Sequence, residues 1–205
     1  VLIAADLVGF ALFQLMEVRL SPVDGAATQI AMMLTSIAYM PGVGIAMTGT
    51  TLVGQAIGAG DREWARRTGN SIIALCTGYM AFVGVAVAAC GPWLVPSFVA
   101  AGDPLAADVV RTGTTILWIA AAYQLFDGLN FGSSFCLRGA GDALIPAAMV
   151  LALSWLIFIP LAHMLTFQPG QGWVDWLPQF GLGAVGGWLA AVLYIVALGM
   201  AMYFR

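Results

Sequence analysis

Long apolar stretches separated by short polar breaks dominate the chain. Six such stretches can be drawn, at residues 1–20, 25–58, 65–91, 107–137, 143–167 and 178–204. Each reaches the roughly 20 residues that a helix needs to cross a bilayer. The breaks hold glycine, proline and most of the charged residues, as connections between helices do. The pattern predicts an all-α membrane protein in which residues 1–205 form a single bundle of six transmembrane helices.

The second stretch is unusually long. Its 34 residues would span about 51 Å as a straight helix, so it must tilt, protrude or bend. Pro41 is the predicted bend, because proline removes a backbone hydrogen bond and its ring clashes with the preceding turn. Broken helices of this kind line cavities in transporters. Tyr39 is therefore a candidate cavity residue, with ordinary packing between helices as the alternative.

The composition agrees with a membrane protein and excludes a nucleic-acid-binding surface. Hydrophobic residues make up 61% of the chain and charged residues 8%, whereas a soluble domain carries about a quarter charged residues. Mean hydropathy is +0.96. The seven basic residues are scattered, and the formal net charge is −3, so no basic patch for nucleic acid is expected.

The cysteine and histidine residues do not suggest catalysis. Cys76, Cys90 and Cys136 are far apart and lie in apolar stretches, so they are interpreted as small buried hydrophobic residues. His163 is expected to be a satisfied residue at a membrane interface rather than a proton relay. A hydrolase would need a nucleophile with its base or a metal cluster. We therefore predict that the chain is not an enzyme and holds no cofactor.

Arginine residues indicate the orientation in the membrane, because cytoplasmic loops retain positive charge. Alternate sides of the six stretches carry five and two arginines. The larger group comprises Arg62, Arg66, Arg67, Arg138 and Arg205, and the smaller group comprises Arg19 and Arg111. The imbalance predicts a cytoplasmic C-terminus.

The fourth stretch contains the most informative residue. Asp127 lies 11 residues from the next charge, Arg138, or roughly 16 Å along a helix, which is mid-membrane depth. Helical spacing gives it a polar face made up of Tyr123, Asp127, Asn130 and Ser134, with Gln124 beside it. An ionisable group at that depth indicates an ion or substrate pathway by default. The alternative is a protonated carboxyl group that hydrogen-bonds to a neighbouring helix.

The first stretch carries a similar stripe, at Asp6, Phe10, Gln14 and Glu17. Glu17 lies close to the break that follows and is expected to be a rim residue. If the helix begins upstream of residue 1, Asp6 lies inside the membrane as a second buried carboxylate. The chain begins within an apolar stretch without methionine, which suggests a fragment.

Glycine motifs in the chain predict close packing between helices rather than nucleotide binding. Gly54 and Gly58 have the small-xxx-small spacing that lets two helices approach closely. Gly181, Gly183 and Gly186 match the dinucleotide-binding pattern, but that pattern requires a preceding strand and this one opens a membrane helix.

Three passages together resemble the multidrug and toxic compound extrusion (MATE) family, specifically its C-terminal six-helix half. They are AATQIAMMLTSIAYMPGVGIAMTGTTLVGQAIGAGD at 26–61, YQLFDGLNFGSSFCLRGAGD at 123–142 and GLGAVGGWLA at 181–190. The phrases LVGQxxGAG and LRGAGD, at consecutive helix ends, are specific jointly. The similarity covers nearly the whole chain.

The resemblance implies a fold and a function. Members typically have twelve helices in two six-helix bundles that face each other across a cavity, and they exchange an organic cation for sodium or protons by alternating access. This chain would hold helices seven to twelve and would lack the N-terminal bundle. Its expected partners are a small organic cation, the lipid bilayer and the N-terminal six-helix half. Its expected location is the bacterial inner membrane.

The resemblance also implies a coupling site. One branch of the family has an acid on the first helix of this half, an acid on the fourth, and a tyrosine one turn before the latter. Asp127 and Tyr123 match the last two, and Asp6 falls at the first acid's position, where the family often has glutamate. With Asn130, these residues could ligand sodium at Asp127 through oxygen atoms. Candidates for the substrate cavity are Gln14, Tyr39, Gln124 and Ser134.

Two other functions stay open beside cation-coupled export. A lipid-linked oligosaccharide flippase of the same superfamily would be expected to have a more cationic cavity, and this chain has few internal arginines. The chain could also be a structural half that does not transport. Six helices supply only one wall of the expected cavity, so we predict that the isolated chain does not transport.

Overall fold

The computed structural model describes residues 2–100, 102–174 and 176–205, except for the side chains of residues 2–7, Phe10 and Ala38. Every regular element in these ranges is helical, which confirms the predicted all-α class. The helices are α1 Leu2–Leu20, α2 Pro22–Gly58, α3 Arg62–Leu94, α4 Ala106–Gly139, α5 Leu144–Leu153, α6 Ile159–Thr166 and α7 Gly183–Tyr203. A π-helical turn, Ser154–Phe158, joins α5 to α6 without a break.

Several of these helices can cross a membrane by length and composition. Among the described residues they are Arg62–Phe98, Leu144–Thr166 and Gly183–Tyr203, and the bent pair Pro22–Ile37 and Tyr39–Gly58 makes a fourth. Helix α4 has 34 residues, but the polar side chains along it lower its hydropathy. These helices make the chain a multi-pass membrane protein.

The first break is shorter than the sequence suggested, because Pro22, Val23 and Asp24 already belong to α2. Ser21 is the N-cap, and its hydroxyl oxygen accepts a hydrogen bond from the Asp24 backbone N–H at 3.0 Å. Proline at the first helical position costs nothing, since its missing N–H would have no partner within the helix. Ser-Pro-Val-Asp is therefore a helix start rather than a loop.

Helix α2 bends by 45° between its halves Pro22–Ile37 and Tyr39–Gly58. Pro41 follows the break, and Ile37 is the residue four positions before it. A proline at this position leaves the carbonyl of Ile37 without its helical donor and crowds it with the ring. The break thus lies where the strain from Pro41 is expected, one turn before the proline itself.

Helix α4 is the centre of the bundle and packs against α2, α3 and α7. Glycines bring its backbone into direct contact with its neighbours. A methyl group added at Gly132 would lie 2.9 Å from Ile73 Cα on α3, and one at Gly139 would lie 2.7 Å from Thr50 O on α2. Small residues allow this approach between membrane helices. The polar face of α4 is consequently enclosed by three helices.

Two sequence expectations about packing are only half right. Gly54 approaches Gly139, but nothing in the described part of the chain lies within 4 Å of a methyl group added at Gly58, so the predicted pair contributes one close contact. Cys76 and Cys136 are buried as expected, whereas Cys90 is exposed. The predicted burial of Cys90 is wrong, because no other described helix covers its side of α3.

Candidate functional site

The polar face of α4 lies inside the bundle. Gln124, Asp127, Asn130 and Ser134 are between 3% and 8% exposed. Tyr123 is half-buried, and its ring centroid lies 6.5 Å from that of Trp188 on α7 in an edge-to-face arrangement. The helical spacing of these residues therefore corresponds to an enclosed polar surface at the centre of the fold.

Asp127 has an incomplete set of partners. Asn130 lies one turn after Asp127 on the same face of α4, and its Oδ1 is buried without a hydrogen-bond partner. No arginine pairs with Asp127 in the part of the chain that the structure describes. A buried carboxylate is costly unless its charge is compensated. A proton or a small cation at Asp127 would supply that compensation.

The donor set around Asp127 suits a hard cation better than a transition metal. The described ranges contain no group of three or more His, Cys, Asp or Glu that could hold a metal ion. Sodium prefers several oxygen ligands, and the carboxylate and the unpaired Asn130 Oδ1 are two such oxygens. The oxygens of Asp127 and Asn130 could therefore hold sodium, and the Asp127 carboxylate alone could hold a proton.

Gln124 has a structural contact that its position in the polar stripe did not reveal. Its Nε2 donates to the backbone carbonyl of Thr35 at 2.9 Å. Thr35 lies in the last turn before the bend in α2. Gln124 thus ties α4 to the bent helix, and its Oε1 is buried without a hydrogen-bond partner.

Glu17 is the residue that sequence reasoning misplaced. It was expected at the rim, but its exposure is 0%. Thr28 Oγ1 donates to Glu17 Oε2 at 3.4 Å, and Oε1 has no hydrogen-bond partner. Its position near the end of α1 suggested exposure, but α2, α6 and α7 cover that end. The one sequence feature that indicates burial of Glu17 is its position on the same helical face as Gln14, because a polar stripe on an apolar helix faces protein or water rather than lipid.

A chain of contacts links Glu17 to the polar face of α4. Trp188 Nε1 donates to Thr28 Oγ1 at 3.3 Å, and Thr28 in turn bonds to Glu17. The Trp188 ring system also meets Tyr123, one turn before Asp127. Contacts therefore run from Glu17 through Thr28 and Trp188 to Tyr123, which lies four residues before Asp127.

Space for the Glu17 carboxylate comes from Gly187. A methyl group at that position would overlap Glu17 Oε1 and would lie 3.0 Å from Thr166 Oγ1. Thr166 is 1% exposed, and its hydroxyl also has no hydrogen-bond partner. Gly187 therefore provides the space that the Glu17 carboxylate occupies, and two buried oxygens without hydrogen-bond partners lie beside this glycine.

The remaining predicted residues lie apart from this network. Gln14 Nε2 contacts Met32 Sδ at 3.3 Å and joins α1 to α2. Tyr39 is 40% exposed and stacks edge-to-face on Phe131 with 5.3 Å between ring centroids. The Asp6 side chain lies outside the described residues, so its role stays a prediction.

His163 has structural hydrogen-bond partners, as the sequence suggested, and it is 3% exposed. Its Nε2 accepts hydrogen bonds from the backbone N–H groups of Trp173 and Val174, at 2.9 and 3.2 Å. Accepting on Nε2 requires the neutral imidazole with its proton on Nδ1. His163 therefore holds the segment between α6 and α7 against the end of α6.

Comparison with known proteins identifies the family. Residues 4–164 match the family model MatE. The chain therefore belongs to the MatE family, whose members are transporters rather than enzymes, as the resemblance predicted.

Curated relatives carry multidrug resistance names. The chain is 32% identical over 189 residues to "Probable multidrug resistance protein NorM" of Brucella suis biovar 1, covering 91% of the chain and 38% of the relative. It is 34% identical over 182 residues to "Multidrug resistance protein NorM" of Burkholderia vietnamiensis, covering 88% of the chain and 37% of the relative. The chain thus spans less than two fifths of the length of these relatives.

Solved structures agree on the fold. The outward-facing conformation of a multidrug resistance MATE family transporter of the MOP superfamily superimposes with a TM-score of 0.82 at 12% identity, over 98% of this chain and 42% of that one. This likeness shows that the helices of the chain are arranged as in part of a MATE transporter.

Proposed function

We propose that this chain is the C-terminal half of a cation-coupled antiporter that exports organic cations or other xenobiotics by alternating access. Family membership and the multidrug resistance names of its relatives support the export function. The 38% share of the relative's length supports the existence of a second half, which would supply the opposite wall of the cavity. The protein would lie in the bacterial inner membrane with a cytoplasmic C-terminus.

The observation that carries the coupling proposal is Asp127. It is 5% exposed, has no arginine partner among the described residues, and sits beside an unpaired amide oxygen of Asn130. The charged form of such a group is favourable only when a cation is present. Sodium or a proton that enters from one side of the membrane would compensate the charge of Asp127. When neither ion is bound, the organic cation would compensate it instead.

Exchange follows if the coupling ion and the substrate compete. Two ligands that each compensate Asp127 are coupled negatively, and by linkage each lowers the affinity for the other by the same factor. Ion binding on the outer side would then release substrate, and ion release on the inner side would restore the charged site. Tyr123, Asn130 and the Glu17 contact chain would position the polar groups around this carboxylate.

The test is efflux of a fluorescent organic cation from cells that carry the full-length parent, under imposed sodium and pH gradients. Asp127→Asn should abolish gradient-driven efflux without loss of membrane-inserted protein. Asp108→Asn, an exposed position on the same helix, removes the same charge and should leave efflux intact. The gradient that drives wild-type efflux identifies the ion.

Unchanged efflux in Asp127→Asn would contradict the proposal and place coupling at another carboxylate, in α1 or in the other half. Loss of folded protein in this variant, with Asp108→Asn well folded, would support the alternative that Asp127 is a structural hydrogen-bonding group.

A further inference from the structure

A groove lies at the arginine-bearing end of the bundle, between the start of α3 and the ends of α4 and α7. Its volume is about 180 Å³, and its polar lining includes Arg66, Asn70 and Arg205. Its floor is apolar, with Ile73, Leu137 and Met202 among the lining residues. Among the described residues no carboxylate lines it, although the chain as a whole carries a net charge of −3.

The charges at this groove are available to a ligand in different degrees. Arg205 Nε donates to Asp142 Oδ2 at 2.6 Å, which fixes its guanidinium beside the groove. Arg66 is exposed and has no ion pair among the described residues. Guanidinium groups bind phosphate oxygens with matching geometry and strong charge-assisted hydrogen bonds. The rim of the groove is therefore suited to a phosphate group.

The surroundings indicate that the groove lies at the level of lipid headgroups. Trp64, in the first turn of α3, and Tyr203, at the end of α7, are 44% and 51% exposed. Amphipathic aromatic rings collect at the membrane interface. The helices on either side, Arg62–Phe98 and Gly183–Tyr203, are apolar enough to span a membrane. A ligand with a charged head and an apolar body fits both the rim and the floor.

We propose that this groove binds the phosphate headgroup of an anionic phospholipid. Arg66 and Arg205 bind the phosphate oxygens, and Asn70 donates a hydrogen bond to the headgroup. The part of an acyl chain nearest the headgroup packs on the apolar floor. Basic pockets between membrane helices are suited to such lipids. Free inorganic phosphate shares the headgroup chemistry but would not use the floor. This site is separate from Asp127 and does not depend on the proposed transport function.

The experiment is native mass spectrometry of the full-length protein, purified in detergent and mixed with phosphatidylglycerol or phosphatidylethanolamine. The wild type should retain phosphatidylglycerol preferentially, and Arg66→Gln should lower its retention about tenfold, the usual effect of losing a charged hydrogen bond. Arg62→Gln is the matched control, because Arg62 is exposed one turn away and does not line the groove.

Three results would overturn the proposal. The first is equal retention of the two lipids by the wild type, and the second is an equal loss in Arg62→Gln and Arg66→Gln, which would indicate general surface charge. The third is displacement of phosphatidylglycerol by millimolar inorganic phosphate, since an anion site without a lipid contribution would behave in that way. Preferential retention that resists phosphate and requires Arg66 supports the lipid site.

Discussion

Trp188 and Thr28 are 160 residues apart in the chain, yet the Trp188 indole N–H donates to Thr28 Oγ1 at 3.3 Å inside the bundle. Because Thr28 also donates to Glu17, this contact joins α1, α2 and α7 at a buried carboxylate. The Trp188 ring faces Tyr123 on α4. The contact thus brings the surroundings of Glu17 next to Tyr123, on the polar face of α4 that carries Asp127.

Replacing Glu17 with glutamine should separate a functional role from a structural one. The glutamine side chain keeps an oxygen that can accept from Thr28 but removes the charge, so stability should change by less than about 1 kcal/mol. Gradient-driven efflux by the full-length protein should fall. Glu17→Leu removes the acceptor for Thr28 and should also cost about 1–3 kcal/mol of stability. Efflux and thermal unfolding in detergent, measured on both variants, check this.

Wild-type efflux in Glu17→Gln would show that Glu17 serves packing alone. Asp6→Asn, assayed in parallel, decides which carboxylate of α1 acts as the first acid that the family resemblance implies.

Replacing Pro41 with alanine should straighten α2. The alanine restores a backbone N–H that can donate to the carbonyl of Ile37, so the 45° bend should decrease. Spin labels at Met33 and Met47, which are exposed on either side of the bend, should move farther apart. An unchanged label distance would show that packing, including the Gln124 hydrogen bond to Thr35, maintains the bend without the proline.

The glycines of the bundle should differ sharply in their tolerance of a methyl group. Gly132→Ala places Cβ 2.9 Å from Ile73 Cα, so the two helix backbones must separate, at a cost of about 1–3 kcal/mol. Gly78→Ala is the control, since no described atom lies within 4 Å of its added methyl group. Alanine's higher helix propensity should make that variant as stable as the wild type or more so. Unfolding in detergent measures both, and equal effects would contradict the close contact.

His163→Phe should release the segment between α6 and α7. The ring keeps its apolar contacts, but the N–H groups of Trp173 and Val174 lose their acceptor, at about 0.5–1.5 kcal/mol for each hydrogen bond lost. Amide hydrogen exchange at these two residues should accelerate. His163→Gln retains an acceptor and should show a smaller change. Equal exchange rates in wild type and His163→Phe would refute the role of His163.

The sequence predicted the features that depend on local periodicity. The polar face of α4 follows from spacings of four, three and four residues, and the position of the α2 bend follows from Pro41. The burial of Glu17 could not be predicted in this way, because Thr28, Thr166 and Gly187, on three other helices, create its environment. The spacing of the stripe predicts which face of α4 Gln124 lies on, but it does not predict the hydrogen bond to the Thr35 carbonyl, because that partner belongs to another helix.

The glycine contacts of α4 have a mechanical consequence. Gly128 and Gly132 bring it against the backbone of α3, and Gly139 brings it against α2, so no flexible side chains separate these helices at those points. Packed backbones of this kind shift as units rather than deform locally. The backbone of α4 therefore cannot adjust locally when the charge at Asp127 changes. Such a change must be accommodated by rotation of side chains or by displacement of α4 together with α2 and α3.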